Sequence, residues 1–322
     1  MKIIALALAT LCACASPQEA PPLSAVPESQ AQPNVLNGVT FEPSAEPLAY
    51  DYFVAGHIYG APKNKRSIFP AASVLANLER IRVAKPAFFM SLGDALRVPS
   101  AIHLAAFRES FLERVEAPVF NAVGNHDVAI RERYLAEFPG PTYYHFRLGR
   151  VLHIVVDTEL DVGRLTGAQL EWLLALLASA ESNESIASVA VYGHKLLAVV
   201  GREEFELVSR HLNSHIGYQA DSRFNEVLLP ALRQLASKKQ VTWFAGDIGC
   251  AHSLPLFYAR EADVDLAWIA TGIGDTENDA ILRVKVDETG RMRFRVRRCD
   301  GYRSPPLETY GVEFWQAHFQ KQ

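Results

Sequence analysis

Five times along this chain an apolar run stops at a glycine that is followed at once by His, Asp or Asn. Residues 52–55 lead into Gly56-His57-Ile58-Tyr59-Gly60, and residues 87–92 into Gly93-Asp94. Residues 117–123 lead into Gly124-Asn125-His126-Asp127, residues 189–192 into Gly193-His194, and residues 241–245 into Gly246-Asp247-Ile248-Gly249. Short continuous apolar runs read as strands buried on both faces. Between them lie helical spacings: Ile68, Ala71, Val74, Leu75, Leu78 and Ile81, with Pro70 in the first turn, then Leu104, Phe107, Phe111 and Val115. Leu170, Leu173, Leu174 and Leu177 mark a further helix with Thr166 as its cap, and residues 225–236 another. Residues 143–146 and 151–156 flank Gly149-Arg150 as a hairpin would, and residues 280–286 and 291–298 alternate as an antiparallel pair around Gly290. Alternating strands and helices with mixed strand directions predict an α/β fold, two packed sheets with helices outside. Strand ends on one sheet edge converge on one cleft, so the five polar tips are expected to meet.

The chain has 322 residues, 49% of them hydrophobic, which is ample for one large domain or two smaller ones; a single domain is expected over 48–300, with 301–322 as a C-terminal tail. Its net charge of −4 carries no broad basic field, so nucleic acid is not an expected partner. Lys2 followed by an apolar stretch from Ile3 to Leu11 has the pattern of an export signal over residues 1–13. The stretch is too short to span a bilayer as a helix. Leu11-Cys12-Ala13-Cys14 resembles a bacterial lipoprotein signal with Cys14 as the lipidated residue, the alternative being ordinary cleavage. Residues 14–47, rich in Pro, Ala, Ser, Gln and Glu, read as a tether. The expected location is the periplasmic face of a bacterial membrane, the outer membrane for preference. Cys250 and Cys299 remain, either as a disulfide or as two thiols.

Asn supplies a neutral amide oxygen, His a ring nitrogen and Asp an anionic acceptor able to fix an imidazole tautomer. Taken singly, Asp94 would be read as a cap, His194 as a satisfied core histidine and Asp247 as a turn residue. Together, at successive strand ends, they read as a metal site. His153 and Asp157 lie in or beside a strand and read as structural. His211 and His215 read as a solvated helix face, and Asp275 and Asp279 as loop residues. Arg291, Arg293, Arg295, Arg297 and Arg298 read as a solvated strand edge that resists aggregation.

In order and placement these motifs resemble the calcineurin-like metallophosphoesterase family, which carries G-D-x-H-G, G-D, G-N-H-D, a later H, and G-H-x-H. The resemblance covers most of residues 50–298 and includes Val155-Val156-Asp157 followed by Gln169-Leu170-Glu171-Trp172-Leu173. It implies a four-layer, two-sheet β-sandwich flanked by helices, with a metal centre of one or two divalent ions of the Mn, Fe, Zn or Mg class that hydrolyses a phosphate ester. Asp94 would bridge, Asn125 and His194 would ligate the second metal, His126 would protonate the leaving oxygen, and Asp127 would orient the His126 ring.

Two motifs depart from that pattern. Matching glycines at the first puts His57 where the family has Asp and Tyr59 where it has His; at the last, Asp247 and Gly249 replace the two His. One carboxylate and one imidazole have changed places, so the ligand charge is retained while its position shifts. His57 and Asp247 remain competent ligands. Gly249 cannot ligate, and Tyr59 could do so only as phenolate, packing being its alternative role. The first metal position is therefore the weaker, and the second, with Asp94, Asn125, His194 and Asp247, the tighter. Cys250 and His252 are conceivable substitutes at the first. The expected function is metal-dependent hydrolysis of a phosphate ester by a membrane-tethered, exported protein. Its alternative is a catalytically silent protein of the same fold that binds a phosphorylated envelope component or a protein partner.

Overall fold

The computed structural model describes residues 32–65, 67–213 and 223–321. Cys14, the expected export segment, residues 14–31 of the expected tether and His215 lie outside these residues. The strands are β1 (Tyr50–Ala55), β2 (Phe89–Ser91), β3 (Val119–Asn121), β4 (Tyr144–Leu148), β5 (Val151–Val155), β6 (Ser188–Tyr192), β7 (Gln240–Ala245), β8 (Leu256–Arg260), β9 (Leu266–Thr271), β10 (Ala280–Val286) and β11 (Met292–Arg298). They form a five-stranded sheet, β11-β10-β1-β2-β3, and a six-stranded sheet, β4-β5-β6-β7-β9-β8. β1, β2 and β3 run parallel, as do β5, β6, β7 and β9. The expected hairpins are β4–β5 and β10–β11, both antiparallel.

Both sheets are covered on both faces. Tyr52, Val54, Phe88, Met90 and Phe120 meet Phe146, Val155, Tyr192, Phe244 and Ile269 in the core between the sheets. On the outside of the six-stranded sheet, Leu173, Leu176 and Leu177 of α5 (Gly167–Ser182) and Leu232 of α7 (Leu229–Ala236) join the core of Trp243 and Trp268. On the outside of the five-stranded sheet, Val74 of α1 (Ala72–Leu75), Leu78 and Ile81 of α2 (Leu78–Val83) and Phe107 of α3 (Ala101–Phe107) pack with Phe53, Phe89 and Val119. The result is the four-layer sandwich, and it explains why the parallel strands read as unbroken apolar runs. Among the described residues no helix is long and apolar enough to cross a membrane.

Several expectations need correction. The helical spacing over 68–81 resolves into α1 and α2, with Ile68 and Pro70 ahead of both. Asn77 makes the break: its amide donates to the Ser73 carbonyl at 2.8 Å and to the Cys299 carbonyl at 2.9 Å, tying the turn to the end of β11. Thr166 precedes α5 without a side-chain cap hydrogen bond; its hydroxyl donates to Asp161 instead. The expected tail folds back onto β8. Trp315 of α8 (Val312–Phe319) is fully buried, and its indole donates to the Leu256 carbonyl at 3.0 Å. His211 follows α6 (Glu206–Arg210) and stacks on Phe319 at 3.8 Å, so it is a packing residue rather than a solvated face. Cys250 and Cys299 are free thiols. β11, with its arginines, is an edge strand, as a solvated basic stripe requires.

His153 belongs to the core and joins the sheets. Its Nε2 lies 2.9 Å from the Tyr50 hydroxyl, which donates to the Leu148 carbonyl, and its Nδ1 lies 2.9 Å from the Tyr192 hydroxyl. Burial lowers its pKa from the ordinary 6.5 to about 3. The unfolded chain therefore takes up a proton, as pH falls below that ordinary value, which the folded chain refuses. This share of stability is complete above the ordinary pKa and is lost towards the folded one, at about 1.4 kcal/mol per pH unit. Replacing His153 by Gln should flatten the fall in urea-unfolding free energy between about pH 6.5 and about pH 4.5 by roughly that slope. Parallel declines in the two proteins would show that His153 is protonated in the folded state.

Candidate metal centre

The parallel strands of both sheets deliver their ends to the same place, and glycine lets them touch. A Cβ on Gly56, after β1, would lie 2.4 Å from the Cα of Gly246, after β7. A Cβ on Gly124 would lie 2.3 Å from Asp94 Oδ1. No side chain fits at either position, so the glycine before the polar tip is the condition for bringing the tips together. Two of the tips are held in the left-handed region, His57 at φ +57° and Asp94 at φ +52°. Non-glycine residues there cost on the order of 1 kcal/mol or more, and such costs gather at functional sites.

Asp94 stands at the middle. Its Oδ2 lies 3.6 Å from His57 Nε2 and its Oδ1 3.5 Å from His194 Nε2. Oδ1 also accepts the His126 backbone N–H at 3.0 Å. Asn125 Oδ1 lies 3.2 Å and Asp247 Oδ2 4.0 Å from the same His194 nitrogen. Thus His57, Asp94, Asn125, His194 and Asp247 come together, and Asp94, His194 and Asp247 form a buried group that could hold a metal ion. Burial, with Asp127 and Asp247 nearby, raises the Asp94 pKa well above the carboxylate range.

The two histidines are oriented alike. His194 Nδ1 lies 2.8 Å from the Leu92 carbonyl, and His57 Nδ1 lies 3.0 Å from that of Ile273. A carbonyl only accepts, so Nδ1 carries the proton on each ring and Nε2 presents a lone pair. Burial keeps both rings neutral, lowering their pKa values to about 3 for His194 and about 4 for His57. At His194 the bare nitrogen faces an amide oxygen and two carboxylates. Acceptors that converge on one nitrogen in this way suit a cation among them. At His57 the Cys250 thiol lies 3.4 Å from Nε2 and can donate to it; burial raises the thiol pKa, so the proton stays on sulfur. The two positions are therefore unequal, and the demand for a cation is greater at His194.

Other residues stand differently from expectation. His126 Nδ1 donates to the Arg97 carbonyl at 2.7 Å, and its Nε2 lies 3.3 Å from the Tyr59 hydroxyl. Asp127 does not orient that ring. Its oxygens accept from Leu96 N at 2.9 Å and from Gly124 N and Asn121 Nδ2 at 3.0 Å, stapling the loop. Tyr59 turns its hydroxyl to His126, and burial raises its pKa, which favours phenol over phenolate. His252 packs against His211 and Phe319. Asp157 takes a structural part: Arg131 of α4 (Arg131–Glu137) donates to it at 2.7 Å, and Gln169 brackets its backbone. Asp279 accepts from Ser73, Gly274 and Thr276, as a loop residue does.

Sequence reasoning missed Lys195 and Glu159. Lys195 is buried, with Nζ 3.2 Å from Asp247 Oδ2, 3.5 Å from Asn125 Oδ1 and 3.7 Å from Glu159 Oε1. The available signal was a lysine directly after Gly193-His194 and directly before an apolar run. No protein-family model matches the chain, and no curated protein matches it either.

Gly249 stands where the motif that this stretch resembles would carry a histidine. Its φ is +65°, and a Cβ there would lie 1.8 Å from the Leu254 carbonyl oxygen. An imidazole cannot be restored at this position without moving the backbone of the 249–254 turn. Gly249→Ala should lower the urea-unfolding free energy by about 2 kcal/mol or more, and Gly249→His by at least as much with no gain in bound metal. An unchanged unfolding midpoint would mean that the turn yields freely.

Proposed function

We propose that this chain is a metal-dependent phosphoric ester hydrolase of the calcineurin-like type, exported and tethered to the periplasmic face of a bacterial membrane through a lipid on Cys14. The observation that carries this reading is the set of acceptors around a bare His194 nitrogen, with Asp94 directing its second oxygen to the bare nitrogen of His57. Asp94, Asn125, His194 and Asp247 would hold one divalent ion of the Mn, Fe, Zn or Mg class, and His57 with Asp94 offers a weaker second position. When bound, the cation supplies Lewis acidity toward phosphate oxygens and a nucleophile at neutral pH.

The chain's own residues supply the rest. Asn125 and His126 are the part-exposed members of the group, so the substrate approaches from their side. The His126 backbone is tied to Asp94 and its Nδ1 to Arg97, which leaves Nε2 free to change partners. A leaving oxygen that displaces the Tyr59 hydroxyl can take a proton from Nε2 only of the doubly protonated His126 ring; the P–O bond breaks as that proton passes over, and the ring is left neutral with Nδ1 still donating to Arg97. Burial of Asp94, His194 and Asp247 keeps bulk water away from them, so a cation they held would act on phosphate oxygens in low-dielectric surroundings.

One observation favours a silent binding protein of the same fold: Tyr59 already occupies His126 Nε2. Metal analysis of the purified mature chain, with turnover of an aryl phosphate in added Mn²⁺, separates the two readings. The hydrolase should carry metal and turn over. His194→Ala should lose the metal, while His126→Ala should keep it and lose roughly 10²-fold or more in kcat. A chain with neither metal nor turnover would be the binder. Cys14→Ser should move the protein from the membrane fraction to the soluble fraction, and unchanged fractionation would remove the lipid anchor.

A further inference from the structure

We propose that the Lys195 ammonium is a resident cation of the centre, fixing its capacity at one metal ion; this rests on the metal-binding reading above. Lysine is seldom buried unless anions hold it. Here Asp247, Asn125 and Glu159 surround Nζ at 3.2, 3.5 and 3.7 Å. Asp247 and Asn125 are two of the four groups that face His194 Nε2 or stand ready to hold its metal. The ammonium and the metal thus draw on the same oxygens.

The charges agree with this geometry. Asp94 and Asp247 supply two negative charges when a metal is bound. Lys195 neutralises part of the Asp247 charge, and Glu159 holds the ammonium from its far side. One divalent ion then balances the site, and a second would stand close to both the first and the ammonium. Asp247 and Glu159 flank Nζ from two sides, so the ammonium is held by carboxylates at both. The lost imidazole at position 249 and the thiol proton at His57 act in the same direction, because both weaken the place where a second metal would sit.

The test is calorimetric titration of the full mature chain with Mn²⁺, together with metal counting after desalting. The wild type should bind one equivalent. Lys195→Met should bind the first ion at least tenfold more tightly or take up a second, and Lys195→Arg should behave as wild type. A wild type that binds two equivalents, or a Lys195→Met protein with unchanged affinity and stoichiometry, overturns the inference and leaves the hydrolase reading intact. An empty wild type beside a loaded Lys195→Met protein overturns the capacity of one ion and removes the metal-dependent hydrolase as well. No Mn²⁺ in either overturns both. Should Lys195→Met fail to fold, Glu159→Gln serves instead. It releases Nζ towards Asp247 and should weaken Mn²⁺ binding several-fold, and unchanged binding would overturn the inference.

Discussion

Two carboxylates, Asp94 and Asp247, are buried within reach of the same histidine nitrogen. Removing a carboxylate from water costs on the order of several kcal/mol per ion even after relaxation, and two beside each other cost more. A fold that holds them there must return that energy through donors and positive charge. The His126 N–H on Asp94 and the Lys195 ammonium on Asp247 are part of the return. A divalent cation between them would complete it. The glycines, the strained backbone at His57 and Asp94, and the choice of histidine tautomers all follow from bringing these two groups together.

The histidines show how the centre depends on the closure of the sandwich. His57 follows β1 of the five-stranded sheet, yet its ring is fixed by the Ile273 carbonyl, which follows β9 of the other sheet. His194 follows β6 of the six-stranded sheet, yet its ring is fixed by the Leu92 carbonyl, which follows β2. Each sheet therefore sets the tautomer of the other's histidine. Slippage between the sheets would free both rings at once. The buried link from Tyr50 through His153 to Tyr192 spans the same gap deeper in the core, where a neutral imidazole joins hydroxyls of both sheets.

Much of this was legible in the sequence because two periodic signals coincide. Parallel strands covered on both faces must be apolar throughout, and the site must begin where the apolar run ends. The glycine before each polar tip marked that place, since close approach of backbones is a constraint that glycine alone meets. β8 (Leu256–Arg260) and α8 were not legible. β8 is an edge strand beside Pro255, and α8 draws its stability from Trp315 packed on β8 rather than from a periodic face. The tautomer locks were invisible for a different reason. Backbone carbonyls of Leu92, Arg97 and Ile273 make them, and any residue supplies a carbonyl. The resemblance assigns Asp127 to the His126 ring, but within a tight turn the nearer donors are backbone N–H groups, and they take its oxygens.

The positions at which this chain differs from the motifs it resembles are coherent with one another. The Lys195 ammonium already reaches Asp247 and Asn125, so two of the three acceptors that face His194 have a donor of their own. The differing residues fall on one side. Backbone fills the space that any side chain at 249 would need, a thiol can donate to His57 Nε2, and Tyr59 turns its hydroxyl to His126. On the other side Asp94, Asn125, His194 and Asp247 keep their acceptors aimed inward, and a buried ammonium stands beside them. That asymmetry sets one side where acceptors converge against one where the space and the nitrogen are already taken. With Asp247 near His194 and an imidazole at position 57 beside the Cys250 thiol, the negative charge lies on the side where the acceptors converge.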